Sequence, residues 1–186
     1  MKLFPPCVAA LTGPSLHYKS FAAERIRDDS NFAIRDCDEV RKQLYPQFSG
    51  VLLPPEQGLP LMDRVYRAMM KDVEMLTEFG TPVVISSAFA RAVLKDMLIR
   101  WAHEHPQIPV RVFRLEVTSR EVIRERLKER ERWGTLSDIK TEADYDWLRS
   151  IEAPWPTDFP VTLVNAEQPI EAVVGEILGH LRGLEL

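Results

Sequence analysis

A short apolar run, Cys7-Val8-Ala9-Ala10-Leu11-Thr12, leads straight into Gly13-Pro14-Ser15-Leu16-His17-Tyr18-Lys19-Ser20, and that segment opens the Ala-rich stretch beginning Phe21-Ala22-Ala23. A strand, a glycine turn, then Lys-Ser at a helix start is the arrangement that makes an anion cradle. Backbone N–H groups of the turn and the helix N-terminus converge on a phosphate, the lysine adds a full positive charge, and the serine hydroxyl can sit on a divalent cation. One position departs from the G-x-x-x-x-G-K-[ST] pattern, because Tyr18 stands where the second glycine is usual. If that backbone must take φ > 0, a tyrosine costs roughly 1–2 kcal/mol, and its Cβ crowds the cradle. The competing reading is a plain strand-to-helix turn in which Lys19 is a solvated charge.

The rest of the chain alternates in the same way. Phe32–Arg35 reads as a second strand, followed by a helix from about Glu39 that Asp36 or Asp38 can cap. Tyr45–Pro60, rich in Pro, Gly and Gln, reads as a loop or lid-like excursion. Leu61–Phe79 carries Leu61, Val65, Ala68, Met69, Val73, Leu76 and Phe79 at helical spacing, which predicts a core-facing stripe, with Gly80 as its C-cap. Val83–Ser87 is a buried-strand run. Ala88–Glu104 predicts a helix with Leu94, Leu98 and Trp101 inward, and His103 and His105 sit on different sides of it, which is not metal-ligand geometry. Val110–Val117 alternates as a strand. A helix capped by Thr118 or Ser119 then carries Arg120, Arg124, Arg126, Lys128, Arg130 and Arg132 among glutamates, a pattern that also fits a solvated, salt-bridged surface. Gly134–Lys140 breaks it, Thr141–Ile151 is helical, and Val161–Asn165 and Ile170–Leu181 form the last strand and helix. This alternation predicts an α/β fold, a three-layer parallel sheet of about five strands with helices on both faces, in a single domain spanning 1–186. Ligands in such sheets bind at the carboxyl ends of the strands, where the glycine turn, Asp36/Asp38 and Ser86/Ser87 all fall.

Composition narrows the partners. The net charge of −4 gives no basic footprint, so nucleic acid is not an expected partner. No stretch approaches membrane-spanning length, and the N-terminal apolar run, interrupted by Pro5-Pro6, reads as the first strand and not as a leader. Two cysteines, Cys7 and Cys37, suggest reduced thiols and a cytoplasmic protein. Oligomeric state is not written in the sequence.

In order and spacing, these pieces resemble the small P-loop kinases, the group that includes gluconate kinase, shikimate kinase, chloramphenicol phosphotransferase and AAA-labelled ATP-binding proteins, here with a degenerate Walker A loop. Gly13–Ser20, Asp38-Glu39-Val40-Arg41, Val65-Tyr66, Gly80–Phe89, Arg126-Leu127 with Arg130, and Val164-Asn165-Ala166 carry the likeness over nearly the whole chain. The resemblance implies a P-loop NTPase (nucleoside-kinase-like) fold with a lid around 130–142. It implies ATP and Mg²⁺ as cofactors and phosphoryl transfer to a hydroxyl of a small molecule. Gly13, Pro14, Ser15, Leu16, His17, Tyr18, Lys19 and Ser20 would cradle the phosphates, with Lys19 on the β/γ-phosphates and Ser20 on Mg²⁺. Asp36 would hold Mg²⁺ through water, and Asp38 would accept the substrate hydroxyl's proton, against the competing reading of both as helix caps. Arg41 and Arg91 would contact the acceptor. Arg126 would stack on adenine, Arg130 would reach the phosphates as the lid closes, and Arg132 is a third lid-side candidate. His17, beside the phosphates, would donate a hydrogen bond or simply lie exposed. Tyr18, together with Ser86 where many relatives carry an aspartate, keeps a second reading open: an inactive pseudokinase that binds nucleotide or a protein partner.

Overall fold

The structure, a computed structural model, describes residues 3–133 and 139–183. Five strands, β1 (Val8–Thr12), β2 (Ala33–Asp36), β3 (Val83–Ser86), β4 (Val110–Glu116) and β5 (Val161–Asn165), form one sheet in the order β2-β3-β1-β4-β5. Every pairing is parallel; Val8 of β1, for instance, lies opposite Val83 on one side and Val110 on the other. The helices are α1 (Lys19–Asp29), α2 (Cys37–Leu44), α3 (Pro55–Glu78), α4 (Ala92–Glu104), α5 (Arg120–Trp133), α6 (Glu142–Ser150) and α7 (Ile170–Arg182).

The period-2 geometry of β1 splits its side chains between two cores. Ala9 and Leu11 pack with Ala22, Ile26, Val173 and Ile177 beneath α1 and α7, while Val8 and Ala10 pack with Val65, Met69, Leu94 and Leu98 beneath α3 and α4. All five β1 residues are buried, as expected of a central parallel strand covered on both faces. The chain leaves β1 for β2 at one edge, returns to β3, then crosses to β4 and β5. That reversal of direction puts a crevice at the carboxyl end of β1, where the Gly13 turn begins. No described helix is long and apolar enough to cross a membrane.

Several local expectations shift. Asp36 is the N-cap of α2, so that helix starts at Cys37 and not near Glu39. The stretch expected as loop to Pro60 contains a 3₁₀ turn at Pro46–Phe48, and α3 begins at Pro55, with Pro60 inside it. A proline at the first helical position loses no hydrogen bond, and only Pro60 interrupts the ladder. Residues 88–91 are not helical: Phe89 takes φ 48° and is fully buried, so the chain makes a tight left-handed turn before α4. Leu61, Val65, Met69 and Val73 of the expected stripe are buried, whereas Phe79 is 82% exposed because α3 has ended there. Gly80 follows at φ 79°, and the bonds Thr81 N–H to Leu76 O (2.9 Å) and Gly80 N–H to Thr77 O (3.0 Å) close a Schellman turn. Cys7 and Cys37 are buried free thiols, and burial raises the pKa of both.

Candidate active site

The Gly13–Ser20 segment wraps the carboxyl end of β1 in three left-handed steps, Gly13 at φ 122°, Leu16 at φ 73° and Tyr18 at φ 58°. A Cβ on Gly13 would lie 2.5 Å from the Leu115 carbonyl oxygen, so the close approach of the turn to β4 requires glycine. Tyr18 occupies the αL position that glycine would relax, and it is the N-cap of α1. Its ring does not fill the cradle. It lies against Arg126, whose guanidinium sits 3.5 Å from the ring centroid, and beside Phe21 at 5.5 Å, while its hydroxyl donates to Glu129 Oε2 at 3.2 Å. A cation–π contact of this kind offsets part of the backbone strain.

His17 departs from both expectations for it. It is fully buried and faces away from the loop's mouth. Nδ1 donates to the Leu115 carbonyl at 2.6 Å, which leaves Nε2 to accept from the Tyr145 hydroxyl at 3.0 Å. The side chain therefore ties the loop to β4 and α6, and a phosphate contact from His17 would come from its backbone only. Burial, reinforced by the positive charges of Lys19, Arg149 and Arg126, lowers its pKa from 6.5 to about 3. The folded state thus refuses a proton that the unfolded state accepts. Stability from His17 is complete above about pH 6.5 and falls with decreasing pH, by about 1.4 kcal/mol per unit, until about pH 3. In urea melts at pH 7 and pH 5, His17→Gln should therefore lose about 2 kcal/mol less between the two pH values than the parent; an identical loss would reject the neutral, buried histidine.

Lys19 is half-buried, and its Nζ donates to the Pro14 carbonyl at 2.7 Å, back into its own loop. Its pKa falls to about 8, chiefly because the ammonium is desolvated and secondly because Arg130 faces it, with Asp38 and Asp36 acting in the opposite sense. Two cations converging in a desolvated space are disfavoured unless an anion joins them. Ser20 Oγ donates to Asp36 Oδ2 at 2.7 Å and lies 3.2 Å from Ser86 Oγ. Asp36 also caps α2, its Oδ1 accepting from Asp38 N at 2.9 Å and Glu39 N at 3.4 Å. The capping reading of Asp36 thus holds alongside any metal role. A hydroxyl and a carboxylate side by side suit Mg²⁺, which takes few protein oxygens and keeps water or ligand oxygens in its other positions. Among the described residues no cluster of three His, Cys, Asp or Glu is placed to hold an ion by itself.

Asp38 is half-buried, and its Oδ1 lies 3.0 Å from Nη2 of the buried Arg41. Arg126, expected to meet adenine, is 6% exposed and donates to Leu16 O at 2.7 Å and Ala166 O at 2.6 Å, holding the loop to the turn after β5. Arg130 Nη1 donates to Ile139 O at 3.3 Å, nine positions on in the chain. The side chain of Arg132 and residues 134–138 lie outside the described residues. Lys19, Ser20, Asp36, Asp38, Arg41, Arg91, Arg126 and Arg130 all line one cavity of about 670 Å³. It runs from the β2–β3 side of the sheet, walled by α2 and α3, to the β4–β5 side, walled by α5 and α6. Tyr66 was not singled out as a site residue in the sequence. Its hydroxyl pairs with Ser87 Oγ and accepts from Phe89 N at 3.2 Å, which shapes the turn after β3 at the cavity wall. The signals that point to it are the Val65-Tyr66 pair in the sequence likeness and its burial on α3.

No family model matches the chain, and no curated protein matches it. Solved structures do. A sugar kinase from Janibacter sp. HTCC2649, unliganded, aligns over 96% of this chain and 95% of its own with TM-score 0.71 and 18% identity. A gluconokinase from Sinorhizobium meliloti 1021 aligns over 98% and 95% with TM-score 0.65 and 17% identity. The Mycobacterium tuberculosis APS kinase CysC, solved with AMPPNP and APS, aligns over 97% and 99% with TM-score 0.67 and 12% identity. The fold is that of the small P-loop kinases: a five-stranded parallel sheet between helical layers, with the glycine turn at the end of its central strand.

Proposed function

We propose that this chain is an ATP- and Mg²⁺-dependent small-molecule kinase that transfers the γ-phosphoryl group to an acceptor hydroxyl. The observation carrying this reading is the convergence of Lys19 and Arg130 in one cavity with the Ser20–Asp36 pair and Asp38. In the transfer, the bond from γ-phosphorus to the ADP oxygen breaks and a bond to the acceptor oxygen forms. The acceptor proton passes to Asp38, and ADP leaves. Lys19 turns from the Pro14 carbonyl to the phosphates, and Arg130 adds its charge from the lid side. Ser20 and Asp36 would hold Mg²⁺, whose charge would offset that of the nucleotide phosphates. Because phosphoryl transfer needs little covalent help from protein, positioning and charge supply most of the rate.

The competing pseudokinase reading draws on Tyr18 and on an ammonium already satisfied by its own loop. Thermal melting separates the kinase from a pseudokinase that binds only a protein partner, and ADP release with an acceptor separates it from one that binds nucleotide without turnover. Mg²⁺-ATP at a hundred times its Kd should stabilise by about 2.7 kcal/mol, roughly 5–10 °C for a chain of this size. Absence of a shift with any purine nucleotide would leave the fold without the function.

A further inference from the structure

The acceptor end of the cavity carries chemistry of its own. On the β2–β3 side, Asp38 and Arg41 of α2 line the cavity with Arg91 at the start of α4, and its wall is completed by Val51, Leu52 and Leu53 of the segment joining α2 to α3 and by Leu59 in α3. Val51 is 42% exposed, Leu52 39% and Leu59 36%, so three large apolar side chains stand in solvent around the opening and not beneath the fold. Met62 and Leu94 extend the same wall inward. The Tyr66 and Ser87 hydroxyls, which also line the cavity, are already bonded to each other. A polyol lying against Val51, Leu52, Leu53 and Leu59 would set hydroxyl groups on side chains that carry no donor or acceptor, which is unfavourable for each one buried there. Of the charged groups at this end, Asp38 is paired with Arg41, and Asp36 with Ser20 and the cap of α2, so Arg91 is the charge left to meet an anion.

We infer, on the reading of the chain as a kinase, that its acceptor is an amphiphilic hydroxy acid: a hydroxyl for Asp38, a hydrocarbon body for the Val51–Leu59 wall, and one carboxylate for Arg91. Two six-carbon acids isolate the point. Gluconate and 6-hydroxyhexanoate share a carboxylate at one end and a primary hydroxyl at the other, and differ in the four hydroxyls between. With the full chain and Mg²⁺-ATP, ADP release should show kcat/KM at least about tenfold higher for 6-hydroxyhexanoate, since a hydrocarbon wall discriminates against unpaired hydroxyls by about that factor or more. Leu52→Ser and Leu59→Ser should each raise KM for 6-hydroxyhexanoate several-fold while leaving KM for ATP unchanged. A preference for gluconate, equal use of the two acids, no response to 6-hydroxyhexanoate, or unchanged KM in both variants would overturn the assignment. The melting shift with Mg²⁺-ATP reports separately on the kinase reading and survives if only the acceptor is misassigned.

Discussion

Lys19→Ala should abolish the melting shift produced by Mg²⁺-ATP and lower the rate of phosphoryl transfer by about 10²–10³-fold, the loss expected when one preorganised charge donor is removed from a transferring group. The free protein should fold normally, because the ammonium's described bond is to Pro14 O within its own loop, and removing a desolvated charge leaves no unpaired cation behind. The lysine's pKa of about 8 adds a second signature. At pH 8 roughly half of the free molecules lack this proton, and polyphosphate anions beside the amine favour the charged form, so binding should take up about half a proton. Calorimetric titrations in two buffers of different ionisation enthalpy measure that uptake directly. It should vanish at pH 6, where the lysine is already fully protonated, and uptake of the same size there would place the titrating group elsewhere.

The layers, the strand order's parallel character and the edge that carries the site were legible in the sequence because they rest on period. Val8–Leu11, Val83–Ile85 and Val110–Leu115 read as strands from β-branched and apolar runs alone, and they pair as such. What was not legible depends on contacts between residues far apart. His17 looks like an exposed loop residue until β4 brings the Leu115 carbonyl to it and α6 brings Tyr145, 128 positions away. Arg126 reads as one more cation on a charged helix, and the carbonyls of Leu16 and Ala166 bury it. The apolar rim at Val51–Leu59 was hidden in a Pro- and Gly-rich stretch whose composition signals loop, although Pro55 starts a helix there. Tyr18 is the instructive position. The sequence exposed its strain, but the compensating stack on Arg126 needed the fold of α5 against α1.

Asp38→Asn should leave the nucleotide-induced melting shift intact while lowering phosphoryl transfer by about 10²–10⁴-fold, the usual contribution of a positioned general base. The substitution is nearly isosteric and keeps an oxygen for Arg41 Nη2, which sits 3.0 Å from Asp38 Oδ1, so the α2 wall should hold its shape. The cap of α2 belongs to Asp36 and is untouched. What the change removes is the carboxylate's ability to take the acceptor's proton as the new bond to phosphorus forms. Arg41→Lys is the matching control, since it keeps the charge but loses the planar fork that orients the carboxylate. Its expected effect is a smaller loss, with the shift again retained. If transfer proceeds at the parental rate in Asp38→Asn, the proton goes elsewhere, and Asp36, already committed to Ser20 and to the helix cap, becomes the only other described carboxylate on that strand end to test.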